Sequence, residues 1–128
     1  MKDKQLIPKR KKVLKTLKLE SMFDQQKKFQ KAIVKDFALL DDEAFTNYTQ
    51  LMLHCIHAES VEALNWLNWK PWKKKKLKFN RYEFLNELVD IQHFLINCAL
   101  ATKCDAKEFS ELFFNKGKEN LNRQRRNY

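Results

Sequence analysis

Residues 80–102 read NRYEFLNELVDIQHFLINCALAT, and this stretch decides the fold. Its apolar residues recur at the three- and four-residue spacing of one helix face, which predicts a helix over about residues 81–102. Asn80 and Glu83 form a capping-box pattern where that helix begins. The whole chain of 128 residues contains only one glycine and two prolines. So few helix breakers predict an all-α fold with long helices.

Three further helices are expected, two before this stretch and one after it. Ser21 and Asp24 predict the N-terminal cap of a helix over about residues 22–38. Asp41 and Asp42 predict the cap of a long helix over about residues 42–67. A lysine-rich loop then begins near Pro71. Asp105 and Glu108 cap a fourth helix, which Gly117 is expected to end or kink. The prediction is a helical bundle of about four to five helices, forming one domain over 21–128 after a basic extension over 1–20.

The charge of the chain is strongly positive and uneven. The formal net charge is +10, and residues 1–18 hold eight Lys or Arg against one acid, a net +7. This balance favours polyanionic partners such as nucleotides, nucleic acid or acidic lipid, and it is equally typical of a solvated tail. Three cysteines without a CxxC pair fit buried thiols in a reducing cytoplasm. No apolar run reaches the roughly 18–20 residues that span a bilayer, so a soluble cytoplasmic protein without a membrane role is expected.

Two pairs of acidic residues stand three positions apart: Glu59 with Glu62, and Glu87 with Asp90. Residues at this spacing share one helix face, with Cβ atoms about 5–6 Å apart. An antiparallel hairpin of the two helices would therefore bring both pairs face to face. The second pair lies in a strongly apolar context, so the helix over 81–102 is expected to be largely buried. His93, on the same helix, is expected to be a core histidine.

Converging carboxylates repel one another and are costly to bury without compensation. Divalent cations that prefer oxygen ligands would provide it, and Mg²⁺ typically binds a few carboxylates together with substrate phosphates. The same spacing also occurs by chance on solvated helix faces. The residues alone leave a metal site and a solvated face about equally open.

Four ordered motifs then indicate a family. ExxE followed after about two dozen residues by ExxD resembles the all-α nucleoside triphosphate pyrophosphatase superfamily. Over roughly residues 22–128 the chain resembles the dimeric dUTPases of that superfamily. The motifs that carry the resemblance are QKKFQ at 26–30, WKPWK at 69–73, ELVDIQHF at 87–94 and KGKENLNRQ at 116–124.

The resemblance implies a Mg²⁺-dependent dUTP pyrophosphatase that hydrolyses dUTP to dUMP, as some members also do with dUDP. Glu59, Glu62, Glu87 and Asp90 would hold two or three Mg²⁺ ions, and water would attack the β-phosphate. One catalytic glutamate of the first pair, Glu59 ahead of Glu62, would orient or deprotonate this water. The residues implied to bind phosphate are Lys73, Lys116 and Arg123, while Asn120 would bind the sugar or a phosphate.

The resemblance also implies how the base is read and how the chain assembles. Gln26 and Gln30 would read the uracil edge, although Gln30 stands where the family often has Asn or Asp. Trp69 or Trp72 would stack on the base or wall its pocket. A homodimer is implied, and the many Phe residues are consistent with it. The alternatives are a dCTP or broader dNTP pyrophosphatase of the same fold, and a basic helical nucleic-acid-binding or protein-interaction module without catalysis.

Overall fold

The computed structural model describes residues 18–126, and the expectations for residues 1–17 and for Tyr128 lie outside this range. Within it, four α-helices and one turn of 3₁₀-helix are formed, and no strand. The elements are α1 (Leu19–Ile33), the 3₁₀ turn (Phe37–Leu39), α2 (Asp42–Asn65), α3 (Arg81–Ala101) and α4 (Ala106–Arg125). The predicted all-α bundle is therefore confirmed.

Three of the predicted helix starts carry the expected side-chain caps. Asp41 accepts a hydrogen bond from the backbone N–H of Ala44 at 2.8 Å. Asn80 accepts from the N–H groups of Tyr82 and Glu83, and Asp105 accepts from that of Glu108. Each cap satisfies backbone donors that have no partner inside the helix. These caps explain why α2, α3 and α4 begin where the sequence predicts.

Helix α1 departs from the prediction at both ends. It starts at Leu19, with Lys18 at the N-cap and no side-chain cap, so the cap expected at Ser21 is wrong. The boundary expected between residues 20 and 21 therefore runs through the first turn of α1. The helix ends at Ile33 rather than near residue 38, because the backbone is already extended at Val34, the C-cap residue. Asp36 then adopts a left-handed conformation with φ of 55°. Aspartate tolerates this conformation better than most residues, and the 3₁₀ turn follows it directly.

Helix α4 continues through Gly117 to Arg125, so the expected break at this glycine is wrong. A glycine inside a helix costs roughly 0.5–1 kcal/mol relative to alanine, which a long helix tolerates. Side chains on both sides of Gly117 are tied to one acid, since Glu119 pairs with Lys116 at 3.3 Å and with Arg123 at 2.6 Å. The Lys116 pair spans the glycine and the Arg123 pair lies directly after it, both at the spacing that joins successive helical turns.

The α2–α3 hairpin forms the largest helix contact, and α1 lies across α3. The core contains Phe23, Ile96 and Ala106, and Phe109 of α4 packs against Phe23 with ring centroids 5.8 Å apart. Helix α3 is not largely buried, because α2 and α1 cover only part of its surface. The apolar side chains of α3 that stay more than a third exposed are Leu85, Leu88, Val89 and Leu95. No helix within residues 18–126 is long and apolar enough to cross a membrane.

Candidate metal centre and amide pocket

Three of the four acids predicted to converge meet where α2 packs against α3. Glu59, Glu87 and Asp90 each offer a carboxylate oxygen, and the three oxygens lie within 4.8 Å of one another. These three residues together are called the carboxylate group. The antiparallel packing of the two helices brings them together from positions far apart in the chain. Glu62, one turn after Glu59, is exposed and stands outside this group. It remains close enough for its charge to act on Glu59.

Glu59 is the most perturbed acid of this group. Burial is the main cause that raises its pKa from 4.5 to about 7, followed by a hydrogen bond to Glu87 and the charges of Glu62, Asp90 and Glu87. Its Oε2 atom is shielded from solvent and has no hydrogen-bond partner among the described residues. A buried oxygen without a donor is rare in proteins. The three acids therefore need positive charge that the described residues around them do not supply.

Two neighbouring side chains contact the carboxylate group from outside it. The indole N–H of Trp66, at the end of α2, donates to Oε1 of Glu87 at 3.4 Å. His93 lies one turn after Asp90, with its Nδ1 atom 3.8 Å from Oδ1 of Asp90. The His93 side chain is 44% exposed, so the expectation of a core histidine is wrong.

The carboxylate group suits a hard divalent cation. All of its ligand atoms are oxygens, and Mg²⁺ and Ca²⁺ prefer such ligands, whereas zinc sites favour nitrogen and sulfur. The buried Oε2 of Glu59 and the raised pKa of its carboxyl are the features that a bound cation would relieve. Glu59, Glu87 and Asp90 are therefore the residues that could hold Mg²⁺, with Glu62 in reach as a further acid.

A pocket of about 450 Å³ adjoins this group between α1 and α3. Asp90 lines the pocket and belongs to the carboxylate group as well. The opposite wall contains Gln26 and Gln30, which are only 6% and 3% exposed. Asn97 lies between the walls at 3% exposure, and its Oδ1 accepts a hydrogen bond from Nε2 of Gln26 at 2.8 Å. Apolar surface is supplied by Phe29, Ile33, Met52 and Phe94.

The loop between α2 and α3 carries the tryptophans and the lysine named by the sequence. Asn68 closes this loop through two hydrogen bonds with the backbone of Leu77, at 2.7 and 2.8 Å. Trp69 and Lys73 line a second pocket of about 440 Å³ inside the loop. Trp72 packs edge-on against Trp69 at 6.0 Å and stays 69% exposed. Neither tryptophan lines the pocket that contains Gln26 and Gln30.

The C-terminal motif lies on the second half of α4, residues 116–125, which is called the outer half of this helix. Lys116 and Asn120 border a shallow surface pocket that contains only residues of α4. Lys116 and Arg123 both contact the carboxylate of Glu119, and their positive charges hold the pKa of that acid below its usual value. None of these three predicted ligands lines the pocket that contains Asp90. The described chain by itself thus gathers the carboxylates and the two glutamines, and it leaves the α4 residues apart from them.

Sequence reasoning missed three side chains that the structure places at the site. Asn97 and Trp66 sit in apolar helical stretches and read as core positions. Tyr48 reads as one more aromatic residue of α2, yet its hydroxyl donates to Oε1 of Gln30 at 2.6 Å. A polar Asn inside an otherwise apolar helix face was the one signal available, because buried polar side chains require a partner.

Comparison with a family model identifies the family of this chain. A family model described as dUTPase matches residues 18–128, which is most of the chain. Comparisons with curated proteins and with solved structures gave no significant match. The match spans α1 to α4, and thus both the carboxylate group and the two pocket glutamines. From this coverage, the chain belongs to the dimeric all-α dUTPase family and is a dUTP diphosphatase.

Proposed function

We propose that this enzyme hydrolyses dUTP to dUMP and pyrophosphate with Mg²⁺ held by Glu59, Glu87 and Asp90, and by Glu62. The observation that carries the proposal is the position of Asp90. This residue belongs to the carboxylate group and lines the pocket that contains Gln26 and Gln30. A nucleotide with its base in the pocket would therefore extend its phosphates toward the acids.

The acids would act on the phosphates and on the attacking water. Two or three Mg²⁺ ions bound there would neutralise the triphosphate and make the attacking water more acidic. Glu59 is our candidate for orienting and deprotonating that water, with Glu62 as the second candidate. The support for Glu59 is its buried Oε2 atom, which lies inside the carboxylate group without a hydrogen-bond partner among the described residues. Attack at the β-phosphate breaks its bond to the oxygen of the α-phosphate and releases dUMP.

Cationic side chains would neutralise the phosphate oxygens as charge moves in the transition state. We assign this role to Lys73, Lys116 and Arg123, and contact with the sugar or a phosphate to Asn120. Lys116 and Arg123 already bind one carboxylate, that of Glu119. Their geometry thus suits anionic oxygens, and a triphosphate would compete with Glu119 for them.

The pocket glutamines would read the base. Gln26 and Gln30 carry amides that can pair with the polar edge of uracil, and Trp69 or Trp72 would close over the base if the loop moved toward the pocket. dUDP fits the same arrangement, since it retains the base and the α- and β-phosphates. A dCTP or broader dNTP preference is the alternative that this pocket leaves open.

We further propose that the enzyme is a homodimer. Much apolar surface stays exposed on the single chain, beyond what scattered surface residues account for. On α4 the side chains of Leu112, Phe113, Phe114 and Leu121 are all more than half exposed. Covering this face and the open side of α3 with a second copy would bury them. Phe113→Glu is expected to yield monomers in light scattering, and a monomeric parent protein would contradict the proposal.

We place the enzyme in the cytoplasm. Its three cysteines are free thiols, and no disulfide joins them. Free thiols at half-buried and buried positions suit a reducing compartment.

Pyrophosphate release from dUTP, dUDP, dCTP and dTTP, with and without Mg²⁺, tests the catalytic proposal. We expect turnover of dUTP that requires the metal, and phosphate rather than pyrophosphate release from dUDP. Equal turnover without a divalent cation would overturn the metal assignment. A strong preference for dCTP would overturn the base assignment and leave the metal site standing.

A further inference from the structure

The two pocket glutamines are held by different neighbours, and this bears on which base the pocket accepts. A glutamine amide has an acceptor end, Oε1, and a donor end, Nε2, which exchange places when the amide rotates by 180°. A freely rotating amide can therefore pair with either a carbonyl or an amino group. An amide whose orientation is fixed can pair with only one of the two.

Tyr48 fixes the amide of Gln30. Its hydroxyl donates to Oε1 of Gln30 at 2.6 Å, which is short for a hydrogen bond between neutral groups. Burial raises the pKa of the Tyr48 phenol, so the hydroxyl keeps its hydrogen at physiological pH. The ring is held edge-on by Phe37 at 5.4 Å. A rotated amide could still donate its N–H to the hydroxyl oxygen, but the hydroxyl hydrogen would then lose Gln30, its hydrogen-bond acceptor among the described residues. The observed orientation is therefore favoured, and it leaves Nε2 as the end that Gln30 can offer to a ligand in the pocket it lines.

Asn97 has the complementary effect on Gln26. Its Oδ1 accepts from Nε2 of Gln26 at 2.8 Å, and its own Nδ2 lies 3.5 Å from the sulfur of Met52. Because Nε2 of Gln26 is turned toward Asn97, Oε1 is the acceptor that Gln26 can offer to a ligand. The pocket wall thus combines a donor fixed on Gln30 with an acceptor oriented on Gln26.

We propose that Tyr48 is a positioning residue that makes this pocket select uracil over cytosine, by holding Gln30 with its N–H toward the base. This inference rests on the function proposed above. Uracil presents the carbonyl O4 beside N3–H, an acceptor next to a donor. In the same pose cytosine presents an amino group and a bare N3, so donor would face donor and acceptor would face acceptor. Tyr48 acts through Gln30, because it is not among the residues that line the pocket.

Tyr48→Phe tests the proposal, since it removes the hydroxyl and keeps the ring against Phe37. We expect the ratio of kcat/KM for dUTP to kcat/KM for dCTP to fall about three- to tenfold, the range for one neutral hydrogen bond. The loss should lie in a higher KM for dUTP and a lower KM for dCTP. kcat for dUTP should change less than about twofold, because the carboxylate group is untouched. Tyr82→Phe is the matched control, and its substrate ratio should equal that of the parent.

A second variant separates orientation from simple loss of stability. Gln30→Met removes the amide, and it should lower the same ratio at least as much as Tyr48→Phe. Adding Tyr48→Phe to Gln30→Met should then change nothing further, because the group that Tyr48 orients is absent. A further fall of the substrate ratio in the double variant would overturn the proposal. If Tyr48→Phe does not fold, Gln30→Met alone is decisive, and an unchanged ratio in that variant would also overturn the proposal.

The activity of the parent enzyme distinguishes failure of the proposed function from failure of the role assigned to Tyr48. Absence of dUTP hydrolysis in the parent would remove the proposed function itself. Normal dUTP hydrolysis with an unchanged base ratio in Tyr48→Phe would remove only the role of Tyr48. Calorimetric binding of dUMP and dCMP without Mg²⁺ provides an independent readout, in which Tyr48→Phe should weaken dUMP and leave dCMP equal or tighter.

Discussion

The carboxylate group between α2 and α3 and the outer half of α4 carry two parts of the same expected site, and they are organised differently. Glu59, Glu87 and Asp90 come from two helices and meet through tertiary packing. Lys116 and Arg123 come from one helix and pair with Glu119 inside it. The acids are thus placed by the fold, whereas the cations are placed only relative to their own helix.

This difference indicates which parts of the site are complete in one chain. The α2–α3 hairpin is fixed by its caps and by its broad contact, so its acids are preorganised before any ligand binds. The outer half of α4 carries the exposed Leu121, and the helix packs against α1 near its start, through Phe109. For its cations to bind the substrate as proposed, a second subunit or the phosphates themselves would have to bring them to the carboxylates.

The largest expected effect comes from breaking the preorganised part. Glu87→Gln removes one charge from the group of three and should lower kcat/KM for dUTP by more than about a hundredfold. Partners that merely touch a metal ligand already cost about 10- to 100-fold when mutated. Pyrophosphate release at saturating Mg²⁺ measures the loss. Glu43→Gln, on the exposed first turn of α2, is the control and should stay within about twofold of the parent.

A smaller effect is expected from the outer half of α4. Arg123→Ala should raise KM for dUTP about tenfold, the scale of one hydrogen bond to a charged group, with a smaller change in the affinity for Mg²⁺. Arg125→Ala, two residues away and exposed, is the matched control. Equal KM values for the two variants would mean that α4 does not contact the substrate. The α2–α3 acids would then act without the cations of α4.

The parts of this molecule that could be predicted from sequence are those whose cause is local. The caps at Asp41, Asn80 and Asp105 need only the residues next to them, and all three are present. The spacing of Glu87 and Asp90 places both on one helix face for the same reason. The break expected at Gly117 is absent because the helix penalty of one glycine is small and Lys116 pairs with Glu119 across it.

The parts that could not be predicted depend on contacts between helices. Nothing near Tyr48 in sequence indicates that its hydroxyl reaches Gln30, eighteen residues earlier. The hydrogen bond from Gln26 to Asn97 spans 71 residues. The early end of α1 likewise depends on the backbone becoming extended at Val34, which no neighbouring proline or glycine indicates. The placement of the acids on their helix faces was therefore predictable, and the hydrogen-bond partners across helices were not.

A modest effect is expected where the end of α2 supports the carboxylate group. Trp66→Phe keeps an aromatic ring and removes the N–H that donates to Glu87. Because this bond is long at 3.4 Å, the Mg²⁺ dissociation constant should rise only about three- to fivefold, below the usual cost of losing such a partner. Mg²⁺ titration by calorimetry without nucleotide measures it. Trp72→Phe, on the exposed loop, should leave the metal affinity of the parent unchanged, and an equal weakening in both variants would contradict the role of Trp66.

The smallest effect concerns the pH dependence of the metal-free protein. The folded-state pKa of Glu59 is about 7 against an ordinary value of 4.5. Between these two pH values the folded protein binds a proton that the unfolded chain has lost, so the free energy of unfolding falls as pH rises and levels off above about 7. The contribution of Glu59 is thus fully present below pH 4.5 and is lost as pH rises through about 7. Thermal midpoints without metal should show a drop of a few degrees that Glu59→Gln reduces.

Addition of Mg²⁺ should reverse this trend, because a cation and a proton compete for the same carboxylates. The midpoint shift caused by a fixed Mg²⁺ concentration should be larger at pH 8 than at pH 5.5, since binding to the folded state alone raises stability. Glu119→Gln provides the contrast on α4, where the pKa of the acid is lowered by Lys116 and Arg123. It should leave the pH dependence of the Mg²⁺ shift unchanged. An identical Mg²⁺ shift at both pH values would show that the raised pKa of Glu59 and the metal site are unrelated.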